Sequence, residues 1–299
     1  MIKSSAHNLL VYGLLVFVAL GAGVGCFTPD PILPPPPSLN SGSASERGQE
    51  LAKGFGACGF CHSMDGSPSS PLAGGRTMRD MYGDIQAPNI TLAHAGIGDW
   101  SEADFKNALR ANIRPDGSII ASQAHKGFEW IADSDIAAIT VYLRSLPQSE
   151  QKIERRDVSS IERNTIGFFD TRLEVKGYIP AINPSFKAEF GQYLVDSVAR
   201  CGSCHSKPDS LLTSEEYLAG GQEITFDGDQ RVAPNITSSK SAGIGGWSES
   251  DIKRFLLSGR TPEGREVDSR FCPVRFYAQA PEEHINSVVA YLRSVPAID

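Results

Sequence analysis

The stretch Cys201-Gly202-Ser203-Cys204-His205 decides how this chain is organised, and an earlier copy stands at Cys58-Gly59-Phe60-Cys61-His62. The pattern C-x-x-C-H is typical of c-type haem attachment, in which two thiols bind the haem vinyl groups and the adjacent His ligates the iron. A zinc knuckle would require more ligands nearby, and a redox C-x-x-C motif does not require the trailing His. The two copies therefore predict two covalently bound haem c groups, with attachment at Cys58, Cys61, Cys201 and Cys204 and with His62 and His205 as proximal iron ligands.

The composition limits the kinds of partner. The chain has 299 residues and a net charge of −7, so it has room for two compact domains and carries an acidic balance. Nucleic-acid binding requires a basic face, so no nucleic-acid partner is predicted. An acidic surface suits docking to a protein with a positive patch. Only Cys26 and Cys272 lie outside the two motifs, so no disulfide framework is expected.

The N-terminal segment, residues 1–26, has the pattern of an export signal or a membrane anchor. Lys3 precedes an apolar run over residues 9–25, which ends in small residues directly before Cys26. Cys26 stands where a bacterial lipoprotein carries its lipid, although Gly23 replaces the usual Leu. An uncleaved anchor helix and a plain cleaved signal are the alternatives. A lipid anchor or a helix anchor would place the chain on the periplasmic side of the bacterial cytoplasmic membrane. Residues 27–45, rich in Pro, predict a spacer.

The remainder of the chain is an internal repeat. Residues 46–62, ERGQELAKGFGACGFCH, resemble residues 189–205, EFGQYLVDSVARCGSCH. Three further motifs recur in the same order: Ala-Pro-Asn-Ile-Thr at 87–91 and 233–237, Gly-Ile-Gly-x-Trp-Ser at 96–101 and 243–248, and Tyr-Leu-Arg-Ser at 142–145 and 291–294. A two-copy repeat of this length indicates a duplicated domain. We refer to residues 46–150 as copy 1, 151–185 as the connector and 186–299 as copy 2.

Each copy is predicted to be mainly α-helical. Gly48 and Gly191 would let a second helix approach the first helix closely. Ser101 and Ser248 each begin an S-x-x-D capping box ahead of an apolar periodic run. A last helix is expected after Asp133 in copy 1 and near Pro281 in copy 2, and its Tyr-Leu pair would pack on the first helix.

Together these motifs resemble class I cytochrome c domains, in particular those of the multihaem cytochrome c subunits of membrane-bound alcohol and gluconate dehydrogenases. The resemblance covers about residues 46–147 and 186–296 and implies two tandem class I cytochrome c domains, each a small helical fold around one haem. In such domains the Pro-Asn-Ile-Thr loop lies along the haem edge near a propionate, and the Trp packs against the haem. The resemblance thus implies haem contacts for Asn89, Asn235, Trp100 and Trp247.

The chain departs from this family at the sixth iron ligand, which in the family is a Met in a loop before the last helix. Counting back equally from the last helix leads to Gln123 in copy 1 and to Cys272 in copy 2. A thiolate is a strong donor, so Cys272 is predicted to ligate the second haem and to lower its potential relative to Met. The alternative for Cys272 is a buried free thiol.

The sixth ligand of the first haem stays open between several candidates. His125 lies two residues beyond Gln123, and residues i and i+2 of an extended loop point the same way, so His125 can reach the iron. The alternatives are Gln123 or an open iron, and then the His and Met residues nearer the motif, His94, Met78 and Met81. His125 can also be read as an ordinary surface residue. His284, at the start of the last helix, is expected to be solvated.

These features predict a membrane-tethered dihaem cytochrome c that relays single electrons between a respiratory, photosynthetic or dehydrogenase complex and a redox partner protein. No catalytic residue is predicted for such a carrier. The alternative is an oxidoreductase acting on a sulfur compound, because thiosulfate dehydrogenases share a His/Cys-ligated haem and Arg270 and Arg275 flank Cys272. A redox or gas sensor is a third class, and no sequence feature indicates a signalling output.

Overall fold

The computed structural model describes residues 41–120, 125–165, 175–206, 216–226 and 228–299. All of these residues belong to one compact unit. The predicted signal or anchor with Cys26, residues 27–40 of the spacer and the ligand candidate Gln123 lie outside the described residues. Within the described ranges, no helix is both long enough and apolar enough to cross a membrane.

The described residues are mainly helical, with two small antiparallel hairpins that the repeat did not predict. The elements of copy 1 and the connector are, in order, α1 (Ser41–Lys53), α2 (Cys58–His62), β1 (Thr77–Asp80), β2 (Gly83–Gln86), α3 (Glu102–Arg110), a 3-10 turn (Phe128–Trp130), α4 (Asp133–Arg144) and α5 (Ser160–Thr165). The elements of copy 2 are α6 (Lys187–Tyr193), a π turn (Leu194–Val198), α7 (Gly202–His205), β3 (Glu223–Phe226), β4 (Asp229–Val232), α8 (Glu249–Ser258), α9 (Val274–Tyr277) and α10 (Glu282–Ser294). Strand β1 pairs with β2, and β3 pairs with β4.

Local sequence signals account for several helix ends. Helix α1 (Ser41–Lys53) includes residues 41–45 of the segment predicted as spacer, and Ala44 is already buried there. Both predicted capping boxes are confirmed. In the first, Ser101 Oγ accepts from the Asp104 amide (3.2 Å) and Asp104 accepts from the Ser101 amide (2.9 Å). Ser248 and Asp251 repeat this arrangement at the start of α8.

The first and last helices of each copy cross at a glycine. A Cβ on Gly48 would overlap the backbone carbonyl of Ala138 in α4. A Cβ on Gly191 would overlap the carbonyl of Ser287 and lie 2.9 Å from the Cβ of Tyr291 in α10. The close approach predicted from these two glycines is confirmed, and each crossing lies next to the Tyr of the Tyr-Leu pair.

Replacing Gly191 with Ala is expected to destabilise the folded protein by about 2 kcal/mol, because the new methyl group must push α6 away from α10. The matched control is Gly246→Ala, since a Cβ there would meet nothing within 4 Å and should change stability by less than about 0.5 kcal/mol. Denaturant unfolding of both haem-loaded variants, followed by far-UV circular dichroism, measures the difference. Equal stability of the two variants would show that the crossing tolerates a wider separation.

The two copies pack on each other through equivalent surfaces. The repeat aligns three positions of this interface: Arg47 with Phe190, Glu50 with Tyr193, and Asp135 with His284. The guanidinium of Arg47 lies over the ring of Phe190, 5.5 Å from its centroid. The hydroxyl of Tyr193 donates to Asp135 (2.7 Å), and the equivalent pair, Glu50 and His284, is 3.9 Å apart. The contacts therefore repeat about an approximate twofold axis, as in an isologous dimer.

A buried ion pair lies at the centre of this interface. Arg47 donates two hydrogen bonds to Asp135, at 2.9 and 2.8 Å. The Nη1 of Arg47 is 3.0 Å from the Nε2 of His284, and because a guanidinium only donates, His284 must accept and be neutral. Burial, and then the charge of Arg47, lowers the pKa of His284 to about 4.

The expectation that His284 is solvated is wrong, because its side chain is 3% exposed. The start of α10 faces Arg47 of copy 1 rather than solvent, and within copy 2 the ring of His284 packs against Phe190 with centroids 5.2 Å apart. The connector, by contrast, is held on copy 1 at its N-terminal end. Arg155 and Arg156 form ion pairs with Asp116 and Asp80 at 2.7 and 2.6 Å.

Candidate haem sites

The proximal His of each C-x-x-C-H motif has a fixed orientation. His62 Nδ1 donates to the carbonyl of Pro88 (2.9 Å), and His205 Nδ1 donates to the carbonyl of Pro234 (2.7 Å). A carbonyl oxygen only accepts, so Nδ1 carries the proton in both rings. The Nε2 atom of each ring is thereby left as the basic nitrogen, and a hydrogen bond of this kind is what orients His ligands toward a metal.

A Gly-Gly pair holds the Ala-Pro-Asn-Ile-Thr loop against the motif. In copy 1 the amide of Gly74 donates to the carbonyl of His62 (2.8 Å), and the amide of Gly75 donates to that of Ala87 (2.9 Å). Gly74 has φ +75°, and a Cβ there would collide with the backbone of Pro88 and Asn89. Copy 2 repeats both bonds, from Gly220 to His205 and from Gly221 to Ala233, so the loop geometry is shared.

The Asn that recurs in both copies of this loop holds the backbone in place. Asn89 is 3% exposed, and its Oδ1 accepts from the amide and the hydroxyl of Thr91 at 2.9 and 2.8 Å. Its Nδ2 donates to the carbonyls of Ser149 and Gln151. Asn235 binds Thr237 and the carbonyl of Ile298 in the same way. These bonds fix the loop that carries the proline carbonyl, and a contact of either Asn with haem stays a prediction.

The two tryptophans lie at the edge of the core. Trp100 and Trp247 are partly buried and pack against the core cluster of their copies. Trp247 also contacts Phe255 of α8, with ring centroids 5.6 Å apart. Their predicted packing against haem therefore remains a prediction beside a core-packing role that the structure shows.

On the opposite side of the first motif, the structure brings His125 to His62. The two ring centroids are 6.5 Å apart. His125 Nδ1 donates to the carbonyl of Ala108 (3.2 Å), so its Nε2 is also left without the proton. In both rings Nε2 is thus the basic nitrogen, which is the form that binds a metal. Ligation of the first haem by His125 stays a prediction.

The other sixth-ligand candidates of copy 1 are placed differently. His94 is exposed and pairs with Asp99 at 3.0 Å. Met78 is in strand β1 and Met81 in the turn that follows it. Among the candidates in the described part of the chain, His125 is the one whose ring faces His62.

In the second site, Cys272 lies close to the motif thiols. Burial, and then the proximity of Cys204, raises the pKa of the Cys272 thiol to about 12. Cys272 in turn contributes, after burial, to the raised pKa of Cys201. None of the five cysteines in the described ranges forms a disulfide. Arg270, two residues before Cys272, forms ion pairs with Asp268 and Asp229 at 2.7 and 2.8 Å. Its charge is therefore already balanced by carboxylates, which disfavours Arg270 as the binding group for an anionic sulfur substrate.

Burial keeps the ligand candidates neutral. It lowers the pKa of His62 and His205, and it lowers that of His125 to about 3, with the charge of Arg200 as the next cause. It also raises the pKa of Cys58 to about 11. Neutral imidazole is the form that binds a metal. Two buried thiols and an oriented neutral His in each motif fit a c-type haem.

Aromatic side chains that the sequence analysis missed connect the two sites. Phe60, inside the first motif, contacts Phe226 of strand β3 with ring centroids 5.7 Å apart. Phe226 contacts Phe271, the residue before Cys272, at 6.0 Å. The guanidinium of Arg76 lies between the first two rings, 4.3 Å from Phe60 and 4.4 Å from Phe226. Phe60 and Phe271 are each adjacent in sequence to a predicted haem-binding Cys, and this adjacency could have indicated an aromatic contact between the two sites.

A mainly helical chain with an oriented His and two thiols in each repeat has the features of a c-type cytochrome. Comparison with known proteins agrees, since residues 45–147 match the cytochrome c domain family. The chain is 30% identical over 304 residues to the protein named "Diheme cytochrome c-type" of Cereibacter sphaeroides, an alignment that covers 95% of this chain and 97% of that protein. The chain therefore belongs to this family of c-type cytochromes, and covalently bound haem c is its cofactor.

Cytochrome subunits of dehydrogenases are also similar. The chain is 32% identical to the fructose dehydrogenase cytochrome subunit of Gluconobacter japonicus, over 89% of this chain and 55% of that protein. It is 29% identical to the gluconate 2-dehydrogenase cytochrome c subunit of Pantoea cypripedii, over 85% of this chain and 60% of that subunit. The chain thus spans little more than half the length of these two relatives. The predicted resemblance is confirmed, and these relatives favour electron transfer over a sulfur-compound oxidoreductase.

Proposed function

We propose that the chain is a dihaem cytochrome c. It would accept single electrons from one redox partner protein, pass them from one of its haems to the other and donate them to a second partner. When bound, haem c supplies an iron that accepts and releases one electron at a time. The observation that carries the proposal is the placement of both motifs in one compact unit, joined by the contacts of Phe60, Phe226 and Phe271. A short packed path between the sites is what sequential one-electron transfer requires.

The axial residues of this chain would make the two sites unequal. With His62 and His125 as ligands, the first site would have two imidazoles, and with His205 and Cys272 the second site would have an imidazole and a thiolate. A thiolate donates more strongly than an imidazole and favours the oxidised iron, so the second site would have the lower potential. Electrons would then pass from the Cys272 site to the His125 site. Trp100 and Trp247 would cover the haem faces, and Asn89 and Asn235 would hold the adjoining loops.

The partners follow from charge and from the relatives. With a net charge of −7, the chain would dock to a redox protein through a positive patch on that protein. The dehydrogenase names of the relatives support a dehydrogenase complex as the source of electrons. Residues 1–26, through a lipid at Cys26 or as an anchor helix, would hold the chain on the periplasmic side of the cytoplasmic membrane.

The test is electron paramagnetic resonance of the oxidised, haem-loaded protein, beside Cys272→Ser and His125→Ala. We expect two low-spin signals in the wild type, one of thiolate type that Cys272→Ser removes and one that His125→Ala removes. His94→Ala is the matched control, because His94 is exposed and paired with Asp99; it should leave both signals intact. A high-spin signal in the wild type, together with turnover of thiosulfate, would overturn the relay and favour an enzyme.

A further inference from the structure

Arg200 stands directly before the second haem motif, and its side chain reaches the first haem site. It directly precedes Cys201 and has φ 55°, in the left-handed region that non-glycine residues rarely adopt. Its guanidinium lies over the ring of Phe128, 4.0 Å from the centroid. Phe128 in turn contacts His125, with ring centroids 5.4 Å apart. One aromatic ring therefore separates a cation of copy 2 from the distal imidazole of copy 1.

The segment after His125 is shaped to receive this side chain. Gly127 has φ +103°, and a Cβ there would lie 2.9 Å from Cγ of Arg200 and 2.9 Å from the carbonyl of Asp196. A side chain at position 127 would therefore occupy the space that the stem of Arg200 fills. Phe128 is 8% exposed, so the ring under the guanidinium is withdrawn from solvent and the cation–π contact is partly shielded.

The position in copy 1 that the repeat aligns with Arg200 is occupied by an uncharged residue. Ala57 precedes the first motif, also in the left-handed region with φ 43°, and it is the counterpart of Arg200. Phe276 stands at the same distance before the last helix as Gly127, and its ring lies 3.0 Å from where a Cβ of Gly59 would be. One contact thus pairs the large Arg200 with the small Gly127, whereas the equivalent positions pair the small Ala57 with the large Phe276. Arg200 brings its charge to the first site, whereas the aligned residue Ala57 carries no charge.

We infer that Arg200 raises the reduction potential of the first haem relative to the second, and so widens the difference in potential that directs electron transfer between them. The inference rests on the proposed dihaem function and names a residue that tunes it. Reduction adds one negative charge to a site, and a nearby cation in a partly buried setting stabilises that form. Arg200 directly precedes Cys201, but its guanidinium lies over Phe128 beside His125, so its charge should act more on the first site than on the second.

A redox titration of the haem-loaded protein, followed by absorbance and by electron paramagnetic resonance, tests this inference. Arg200→Met keeps an aliphatic stem over Phe128 and removes the charge; we expect the potential of the His125-dependent signal to fall. Arg200→Lys keeps the charge and should retain most of the wild-type potential. Arg79→Gln, on the exposed β1–β2 hairpin, is the control and should shift neither potential.

Each result has one meaning. An unchanged first potential in Arg200→Met, with wild-type haem content, overturns the inference. An equal fall in Arg200→Met and Arg200→Lys also overturns it, because the effect would then be structural rather than electrostatic. Failure of the proposed function is visible separately, as fewer than two haems per chain or the absence of a His125-dependent signal in the wild type.

Discussion

Replacing Cys272 with Met is expected to raise the reduction potential of the second haem by roughly 0.2–0.4 V, part of the span of about 0.8 V that axial ligands produce. A thioether is a weaker donor than a thiolate and carries no charge, so it favours the reduced iron. The site suits the exchange, because Cys272 is partly buried against the core and Pro273 follows it, as a Pro follows the ligand Met in the resembling family. The potential of the first haem should stay within its wild-type range.

Two further measurements make this result specific. Cys272→Ser replaces the sulfur with a poor oxygen ligand, so it should convert the second haem to high spin without reproducing the gain in potential. Haem content by pyridine haemochrome must stay equal in wild type and both variants. If Cys272→Met left both potentials unchanged at full haem content, Cys272 would be a buried free thiol rather than a ligand.

Replacing Arg47 with Met is expected to destabilise the folded protein by about 3–5 kcal/mol, because it leaves the carboxylate of Asp135 buried without its cation. Asp135 is 3% exposed and receives two of its hydrogen bonds from Arg47. The remaining donor, the hydroxyl of Tyr193, cannot balance a full negative charge. The loss should appear in denaturant unfolding as a lower midpoint with a single cooperative transition.

The matched control for Arg47→Met is Arg79→Met. Arg79 also pairs with a carboxylate, that of Asp84 at 3.1 Å, but both side chains are more than 60% exposed. Exposed pairs contribute about 0–1 kcal/mol, so this variant should unfold close to wild type. Equal losses in the two variants would mean that burial of the Arg47 pair adds nothing, and a small loss in both would mean that water solvates Asp135 in the folded state.

The parts of the fold that the sequence predicted are those with short-range signals. Each capping box depends on two residues that are three positions apart. Each helix crossing depends on one glycine, Gly48 or Gly191, whose missing side chain lets the last helix of that copy approach. The Pro-Asn-Ile-Thr loop recurs in both copies, and in both its Pro carbonyl accepts from the His of the haem motif. The cytochrome c family and its haem c followed from the same motifs.

The features that the sequence analysis did not predict lie mainly where the two copies contact each other. His284 begins a helix and is polar, so nothing local indicated that its ring is buried against Phe190. The sequence analysis did not single out Arg200 or Arg76, because their aromatic neighbours Phe128 and Phe226 are remote in sequence. The repeat did contain relevant information. It aligns the charged residues Arg47 and Asp135 with Phe190 and His284, and all four residues lie in the contact between the copies.

The approximate twofold packing also determines which pairings are possible. Two units of copy 1 would set Arg47 against Arg47 across the axis, and two units of copy 2 would leave Tyr193 and His284 without the carboxylate and the guanidinium they bind. The pairing of copy 1 with copy 2 supplies both of these partners. The two copies thus contribute different and complementary groups to the contact between them, and the divergence of the repeat is what makes that contact possible.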